Sequence, residues 1–360
     1  MNMAVSKAVY DEQLTTAPDL DLREVATERL SGVRTYINVA ATVPMFIVAD
    51  SEFFTKNSDV SPWFSANRAR LDELLLDHGV LVFRGFPVAD ADQFNEVVNQ
   101  FPPFKLGYVG GIGPRAKIAG RVMEATQLDN SLNIWQHSEM AYNHKFPAIL
   151  AFFCRKPAEV AGETTIADTR EFTRRLPEAL RTKLETEGYR SVMNFAPCGA
   201  SGGVAVTDIP DHRGWDEAYS TTDRAEVEAF CAERLQQPIW HDDGSLTIIS
   251  EMDVFTKHPV TGATLYRSQI HSGSVIADPT RAEKLRALRA TQKIPSGNML
   301  GNGVPLSDEE RDMINGIFQD LTVAWRWEAG DMMFVDNLLA THGRRPYVGT
   351  RDVQVALLDR

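Results

Sequence analysis

The sequence predicts a mainly β protein, a β-sandwich or jelly roll with helical insertions. Short apolar runs recur along the chain, each bounded by Gly, Pro, Asp or Asn, as strands ending in turns are. Helical stretches interrupt them without the regular strand–helix alternation of a doubly wound sheet. The opening helix–strand–helix passage also suits a cover over a β core better than the start of a parallel sheet.

Each element can be read in turn. Residues 1–30 are polar and are expected to form a loosely attached N-terminal extension, ahead of a single domain over 31–360. Ser61-Pro62 opens a helix, a capping residue followed by proline at the first helical position. Leu71, Leu74, Leu75 and His78 continue its face, and Gly79 stops it. Val80-Leu-Val-Phe83 reads as a buried strand, followed by an amphipathic helix from about Asp92 to Gln100. Strand signals then fall at 148–154, 246–249, 264–266, 332–335 and 352–357, with Gly330-Asp331 as a hairpin turn. Helical segments come near 171–187, 223–235, 280–291 and 308–320. No repeat or low-complexity linker cuts the chain.

With 360 residues, 43% of them hydrophobic, the chain can bury a large core. Its 37 Lys+Arg against 49 Asp+Glu give a formal charge of −12, which argues against a nucleic-acid partner. Cys154, Cys198 and Cys231 are widely spaced and odd in number, so reduced thiols are expected rather than a disulfide frame or zinc site. The N-terminus lacks a signal-peptide pattern, and the most apolar stretch, 37–49, holds Asn38 and Pro44 and is too short to span a bilayer. The expectation is a soluble cytoplasmic protein with no membrane partner.

Chemistry concentrates at His137-Ser138-Glu139 and, far along the chain, at His342. Two ligands at i and i+2 on an extended segment point to one side, because strand side chains alternate. An imidazole from a distant strand can then complete one face of an octahedron. Two histidines and one carboxylate with open positions form the facial triad of non-haem Fe(II) oxygenases. Zinc can use the same donors, but the zincin arrangement sets its histidines at i and i+4 on a helix, and Pro147 disfavours a long helix here. Zinc also has no redox chemistry with which to activate dioxygen.

Longer motifs surround the triad: His137-Ser-Glu139-Met-Ala-Tyr142, Pro157-Ala158, Gly162-Glu-Thr164-Thr-Ile-Ala-Asp168-Thr-Arg170, Gly330-Asp331, Asp336-Asn337, and His342-Gly-Arg-Arg-Pro-Tyr347 followed by Gly349-Thr-Arg351. In these the chain resembles the taurine dioxygenase-like (TauD/TfdA) superfamily of Fe(II)/2-oxoglutarate-dependent oxygenases, in its clavaminate synthase and SyrP-like branch, from about Leu76 to Leu358. The resemblance implies a double-stranded β-helix, a jelly roll with iron at its mouth. It implies iron on His137, Glu139 and His342, with 2-oxoglutarate and dioxygen as co-substrates. By the same resemblance Thr164 and Arg351 hold the distal carboxylate of 2-oxoglutarate, and a guanidinium fork suits that task. A salt bridge at a strand start is the other reading of Arg351. Arg344 and Arg345 are not assigned to the co-substrate.

Two departures narrow the implied chemistry. Taurine-type relatives carry a second arginine four positions beyond the co-substrate arginine; Val355 stands there, so a sulfonate substrate is not expected. Halogenating relatives replace the ligand carboxylate by Gly or Ala; Glu139 is present, so hydroxylation is expected. The branch implies an amino acid as substrate, free or tethered to a carrier protein, in specialised metabolism. Asn133, Trp135, Tyr142 and Arg267 are the candidate substrate-binding residues, although each has an ordinary packing or turn role open to it. The loop Gly199–Gly203 and the segment Arg267–His271 are candidate lids. Desaturation or ring closure by the same oxidant, a zinc-dependent hydrolase on the same triad, and a metal-free binding jelly roll remain the alternatives.

Overall fold

The computed structural model describes residues 17, 19–111, 115–125, 128–200, 213–272, 287 and 292–360. It is mainly β with some helices. One sheet of nine strands runs, edge to edge, through Leu22–Val25, Val33–Asn38, Met45–Ala49, Val80–Arg84, Met332–Asp336, Ile149–Lys156, Asp352–Leu358, Val122–Glu124 and Lys117–Ala119. A second sheet orders Thr164–Asp168, Ala340–Arg344 and Ile134–His137, with the Ala340–Arg344 strand in the middle.

The central strands of the large sheet are buried on both faces, so they read as unbroken apolar runs rather than alternations. Phe83, Phe153 and Phe334 point to one face, where Trp63, Phe64, Leu71, Leu75 and Phe94 from three helices cover them. Those helices are Val60–Ala66, Arg68–His78 and Ala91–Val98. Their neighbours one residue along, Val82, Phe152, Met333 and Val335, point the other way, as the pleat requires. There they share a core with Ile166 and Ala340 of the three-stranded sheet. A third layer of contact packs the helices Thr169–Arg175 and Asp308–Leu321 together, with Phe172 stacked on Phe318 at 3.9 Å between ring centroids.

Several expectations need adjustment. The N-terminal extension is not loose throughout, because Leu22–Val25 pairs antiparallel with Val33–Asn38 at the sheet edge. The first helix starts at Val60, ahead of Ser61, and Asp59 before it makes no side-chain cap. The following crossover brings Met45–Ala49 and Val80–Arg84 together as a parallel pair, so the opening passage contributes to the sheet as well as covering it. Pro177 splits the segment expected over 171–187 into Thr169–Arg175 and Glu178–Glu187. Gly330-Asp331 does form a turn, with Asp331 N–H donating to Glu328 O, but no strand precedes it; Met332–Asp336 pairs with Val80–Arg84 and Ile149–Lys156 instead. The helix expected at 280–291 lies outside the described residues except at position 287. Among the described residues no helix is long and apolar enough to cross a membrane, and all three cysteines are free.

Candidate metal centre

His137 ends one edge strand, and His342 sits mid-strand beside it. The two are direct cross-strand partners, and their ring centroids are 4.3 Å apart. The pairing register then shifts between His342 and Arg344. Gly343 occupies that irregularity because a Cβ there would come within 2.5 Å of Ile134 O and 2.8 Å of Thr165 Oγ1. Only a residue without a side chain lets the strands approach this closely.

Glu139 arrives differently from the expectation. The strand stops at His137, and Glu139 enters a turn in which Met140 has φ of 55°. A distant side chain shapes that turn. Asn337 Oδ1 accepts from Glu139 N–H at 2.7 Å, while Asn337 Nδ2 donates to Glu139 O at 3.1 Å and to Pro147 O at 2.9 Å. Both backbone groups of Glu139 are thereby satisfied by one fully buried amide. Asn337 is itself held by the neighbouring Asp336, whose Oδ1 accepts from Leu338 and Leu339 N–H and whose Oδ2 meets His258 Nε2 and Arg360.

The outcome is one cluster. Donor atoms of His137, Glu139 and His342 all lie within 4.8 Å of one another, and His342 Nε2 is 3.9 Å from Glu139 Oε2. The set suits a metal ion. His137 Nδ1–H donates to Trp135 O at 2.8 Å, which leaves the Nε2 lone pair for a ligand bond, the usual outer arrangement of a metal-bound imidazole. Burial holds the pKa of both imidazoles below the ordinary value, so each is the neutral, coordinating form. Arg115, 5% exposed at its side chain, donates from Nη2 to Glu139 Oε2 at 2.8 Å and lies 4.3 Å from the ring centre of Tyr108.

A second polar group lies along the same sheet. Thr164 is two residues from Ile166, the cross-strand partner of His342, and strand periodicity puts the two on one face. Thr164 Oγ1 accepts from Arg351 Nη2 at 3.0 Å and from Trp327 Nε1 at 3.1 Å. Arg351 Nε donates to Gly162 O at 2.8 Å, and no described carboxylate pairs with this arginine. It therefore makes no salt bridge at a strand start, and burial pulls its pKa down to about 10. Arg344, by contrast, is spent on the backbone, donating to the carbonyls of Leu128, Asp129 and Leu132.

The four candidate substrate residues part company. Tyr142 is buried close to Glu139 and Arg115, whose charges act on its phenol. Asn133 and Trp135 line a cavity of about 170 Å³ with Thr165, Phe318 and Arg345, and none of the three clustered residues lines it. Arg267 is buried behind the Glu139 turn, donating to Asn143 O at 2.9 Å and stacked 4.1 Å from the Phe146 ring centre. Within the candidate lid, Gln269 Nε2 reaches Ser138 O and His271 Nε2 donates to Gln136 O, so this segment backs the strand; the other lid runs outside the described residues from 201 onward. Val355, 0% exposed, belongs to the shared core. Arg115 and Trp327 were invisible to pattern reading, since neither sits in a periodic element. A lone arginine after a Gly- and Pro-rich stretch, Gly110-Gly-Ile-Gly-Pro-Arg115, was the one available signal.

Comparison with known proteins agrees with this geometry. The family described as taurine catabolism dioxygenase TauD, TfdA family matches residues 50–357. The dapdiamide synthesis protein DdaC of Enterobacter agglomerans is 28% identical over 307 residues, covering 85% of this chain and 89% of that one. A clavaminate synthase-like protein of Arabidopsis thaliana is 29% identical over 293 residues, covering 80% and 83%. In fold, the crystal structure of AAD-2 in complex with Mn(II) and N-oxalylglycine superposes with a TM-score of 0.51 at 13% identity, covering 94% of this chain and 97% of that one. The chain belongs to the taurine catabolism dioxygenase TauD, TfdA family and is an oxygenase that depends on Fe(II) and 2-oxoglutarate, with dioxygen as co-substrate.

Proposed function

We propose that this oxygenase hydroxylates an unactivated carbon of an amino acid, free or carrier-bound, in specialised metabolism. His137, Glu139 and His342 hold the iron, and Arg351 with Thr164 holds the far carboxylate of 2-oxoglutarate. The double-stranded β-helix is the fold reading that accompanies this assignment. The observation that carries it is the pairing of a cluster of neutral imidazoles and carboxylate, half-buried at His137 and buried at Glu139 and His342, with a buried arginine lacking any described counter-carboxylate. Two residues of strand separate the level of Thr164 from that of His342, roughly 6–7 Å, which is the reach of a five-carbon diacid. A buried guanidinium without an acid partner is costly, and a dicarboxylate removes that cost.

When bound, iron and 2-oxoglutarate supply the oxidising chemistry, giving succinate and carbon dioxide as one oxygen atom enters the substrate. The protein's own residues do the rest. Neutral His137 and His342 offer lone pairs, Asn337 fixes the carboxylate arm, and the aromatic wall of Phe152, 5.3 Å from the His342 ring centre, limits water at the site. The name of the relative DdaC, a dapdiamide synthesis protein, supports a role in making a specialised small molecule. The test is succinate formation that requires Fe(II) and 2-oxoglutarate, coupled to a product heavier by one oxygen atom. A product lighter by two hydrogens would point to desaturation or ring closure, and hydrolysis without succinate would sink the oxygenase assignment of these residues.

A further inference from the structure

We infer that His258 and Arg360 are positioning residues for the metal centre, acting on Glu139 through Asp336 and Asn337. The inference rests on the ligand set proposed above and extends it to two residues that hydrogen-bond none of His137, Glu139 and His342.

The contacts form a continuous path. Asn337, fully buried, meets both Glu139 N–H and Glu139 O, so the direction of its side chain sets where the carboxylate arm leaves the chain. That direction is set in turn by the corner at 336–339. Asp336 Oδ1 accepts from Leu338 and Leu339 N–H, both at 2.9 Å, and this folds the chain back so that the strand Ala340–Arg344 begins at once. Asn337 lies inside the corner and His342 lies on the strand that leaves it. One carboxylate therefore stands behind two of the three donors.

Asp336 is 1% exposed, and a buried carboxylate is tolerated only when its oxygens are paired. Its Oδ2 has two partners from distant parts of the chain. One is His258 Nε2, at 3.0 Å. His258 Nδ1 accepts from Val260 N–H at 3.2 Å and from Thr261 N–H at 3.1 Å, so the ring carries its proton on Nε2, facing the acid. The turn joining Phe255–Lys257 to Thr264–Tyr266 thus aims the ring. The other partner is Arg360, just beyond the strand Asp352–Leu358, which brings a full positive charge. Burial would raise the Asp336 pKa; the His258 bond and the Arg360 charge outweigh it and hold the acid below its ordinary value. With either partner gone, the buried oxygen must find another donor, and the carboxylate turns away from Leu338 and Leu339 N–H to reach one. Asn337 then loses its fixed direction. The chain after the same hairpin backs the other side of the Glu139 turn, where Arg267 Nη1 donates to Asn143 O and Gln269 Nε2 to Ser138 O. The hairpin holds that turn from both sides.

The experiment titrates the full, metal-free chain with Co(II), following affinity by calorimetry and ligand field by the visible spectrum. Arg360→Met and His258→Leu should each weaken Co(II) about tenfold or more and shift the visible bands, the scale at which groups that orient metal ligands act. Arg360→Lys keeps the charge and His258→Gln keeps an N–H donor, so both should recover most of the affinity and the wild-type bands. Coupling gives the sharper test. Arg360→Met added to Asn337→Ala should weaken Co(II) little beyond Asn337→Ala alone, because both changes break the same path. The Arg360 side chain is 18% exposed, so its removal leaves little void, and it carries the test should His258→Leu fail to fold. A folded Arg360→Met with wild-type affinity and bands, or losses that add in full in the double variant, overturns the inference. A wild-type chain that takes up no Co(II) would instead remove the ligand set itself.

Discussion

Arg351 illustrates how much one side chain can decide. Its guanidinium donates to Gly162 O and Thr164 Oγ1, two neutral acceptors, and no described acid neutralises it. Truncating one partner of a buried, hydrogen-bonded charge pair costs about 2–5 kcal/mol, so Arg351→Ala should weaken 2-oxoglutarate binding by about thirtyfold or more. Metal affinity should stay nearly as it was, because Arg351 contacts none of His137, Glu139 or His342. An anaerobic titration with 2-oxoglutarate measures this, and an unaltered dissociation constant would remove Arg351 from the co-substrate site. His137→Ala acts on the other half of the centre. With one of three donors gone, metal binding followed by calorimetry should be lost, and turnover with it. Retained stoichiometric metal in that variant would exclude His137 as a ligand.

Between elements, the site joins the paired His137 and His342 strands to the turn that carries Glu139, and Asn337 is the joint. It reaches across from the turn after Met332–Asp336 to pair with both backbone groups of Glu139. Asn337→Ala leaves a buried N–H and carbonyl unmatched, each worth about 1–3 kcal/mol, and frees the turn that aims the carboxylate. Residues that orient metal ligands typically change affinity 10–100-fold, so Mn(II) or Co(II) binding should fall in that range, with an altered Co(II) visible spectrum reporting a changed ligand field. An identical spectrum and affinity in a folded variant would show that the joint is merely structural. Gly343→Ala should also reach the centre, since a methyl group 2.5 Å from Ile134 O must push the two histidine strands apart. This scale also marks what the sequence could tell. The apolar runs at 148–154, 332–335 and 352–357 became strands because both their faces are buried, a signal carried locally. That His137, Glu139 and His342 come together was legible from residue types, spacing and flanking motifs. The Asn337–Glu139 pairing spans 198 positions and leaves no local trace, so position 337 stood out only as part of a motif without a role. Likewise Glu139 leaves the strand through a positive φ at Met140, a conformation the residue type gives no reason to expect.

At the scale of the whole molecule, packing the centre inside two sheets makes it sensitive to acid. His271 shows why. It is 1% exposed, its Nε2–H donates to Gln136 O at 2.9 Å, and its Nδ1 accepts from the Tyr266 hydroxyl at 2.8 Å. Both nitrogens are satisfied in the neutral ring, and burial pulls the pKa down to about 4 from 6.5. The sign follows from proton counting. Below pH 6.5 the unfolded chain takes up a proton that the folded chain refuses, so stability falls as pH drops and is fully present above 6.5. Each pH unit in the window from 6.5 to about 4 removes about 1.4 kcal/mol, so this residue alone accounts for roughly 3 kcal/mol. His137 and His342, also lowered by burial, add losses of the same sign in metal-free protein. Metal that requires their unprotonated rings should oppose the loss by mass action. Denaturant unfolding from pH 7 to 4.5 should therefore show a falling midpoint, flattened in His271→Gln and partly restored by saturating Mn(II) in the wild type. A midpoint independent of pH across that interval would mean that these imidazoles take up protons as readily in the folded chain as in the unfolded one, which the buried, doubly hydrogen-bonded ring of His271 does not allow.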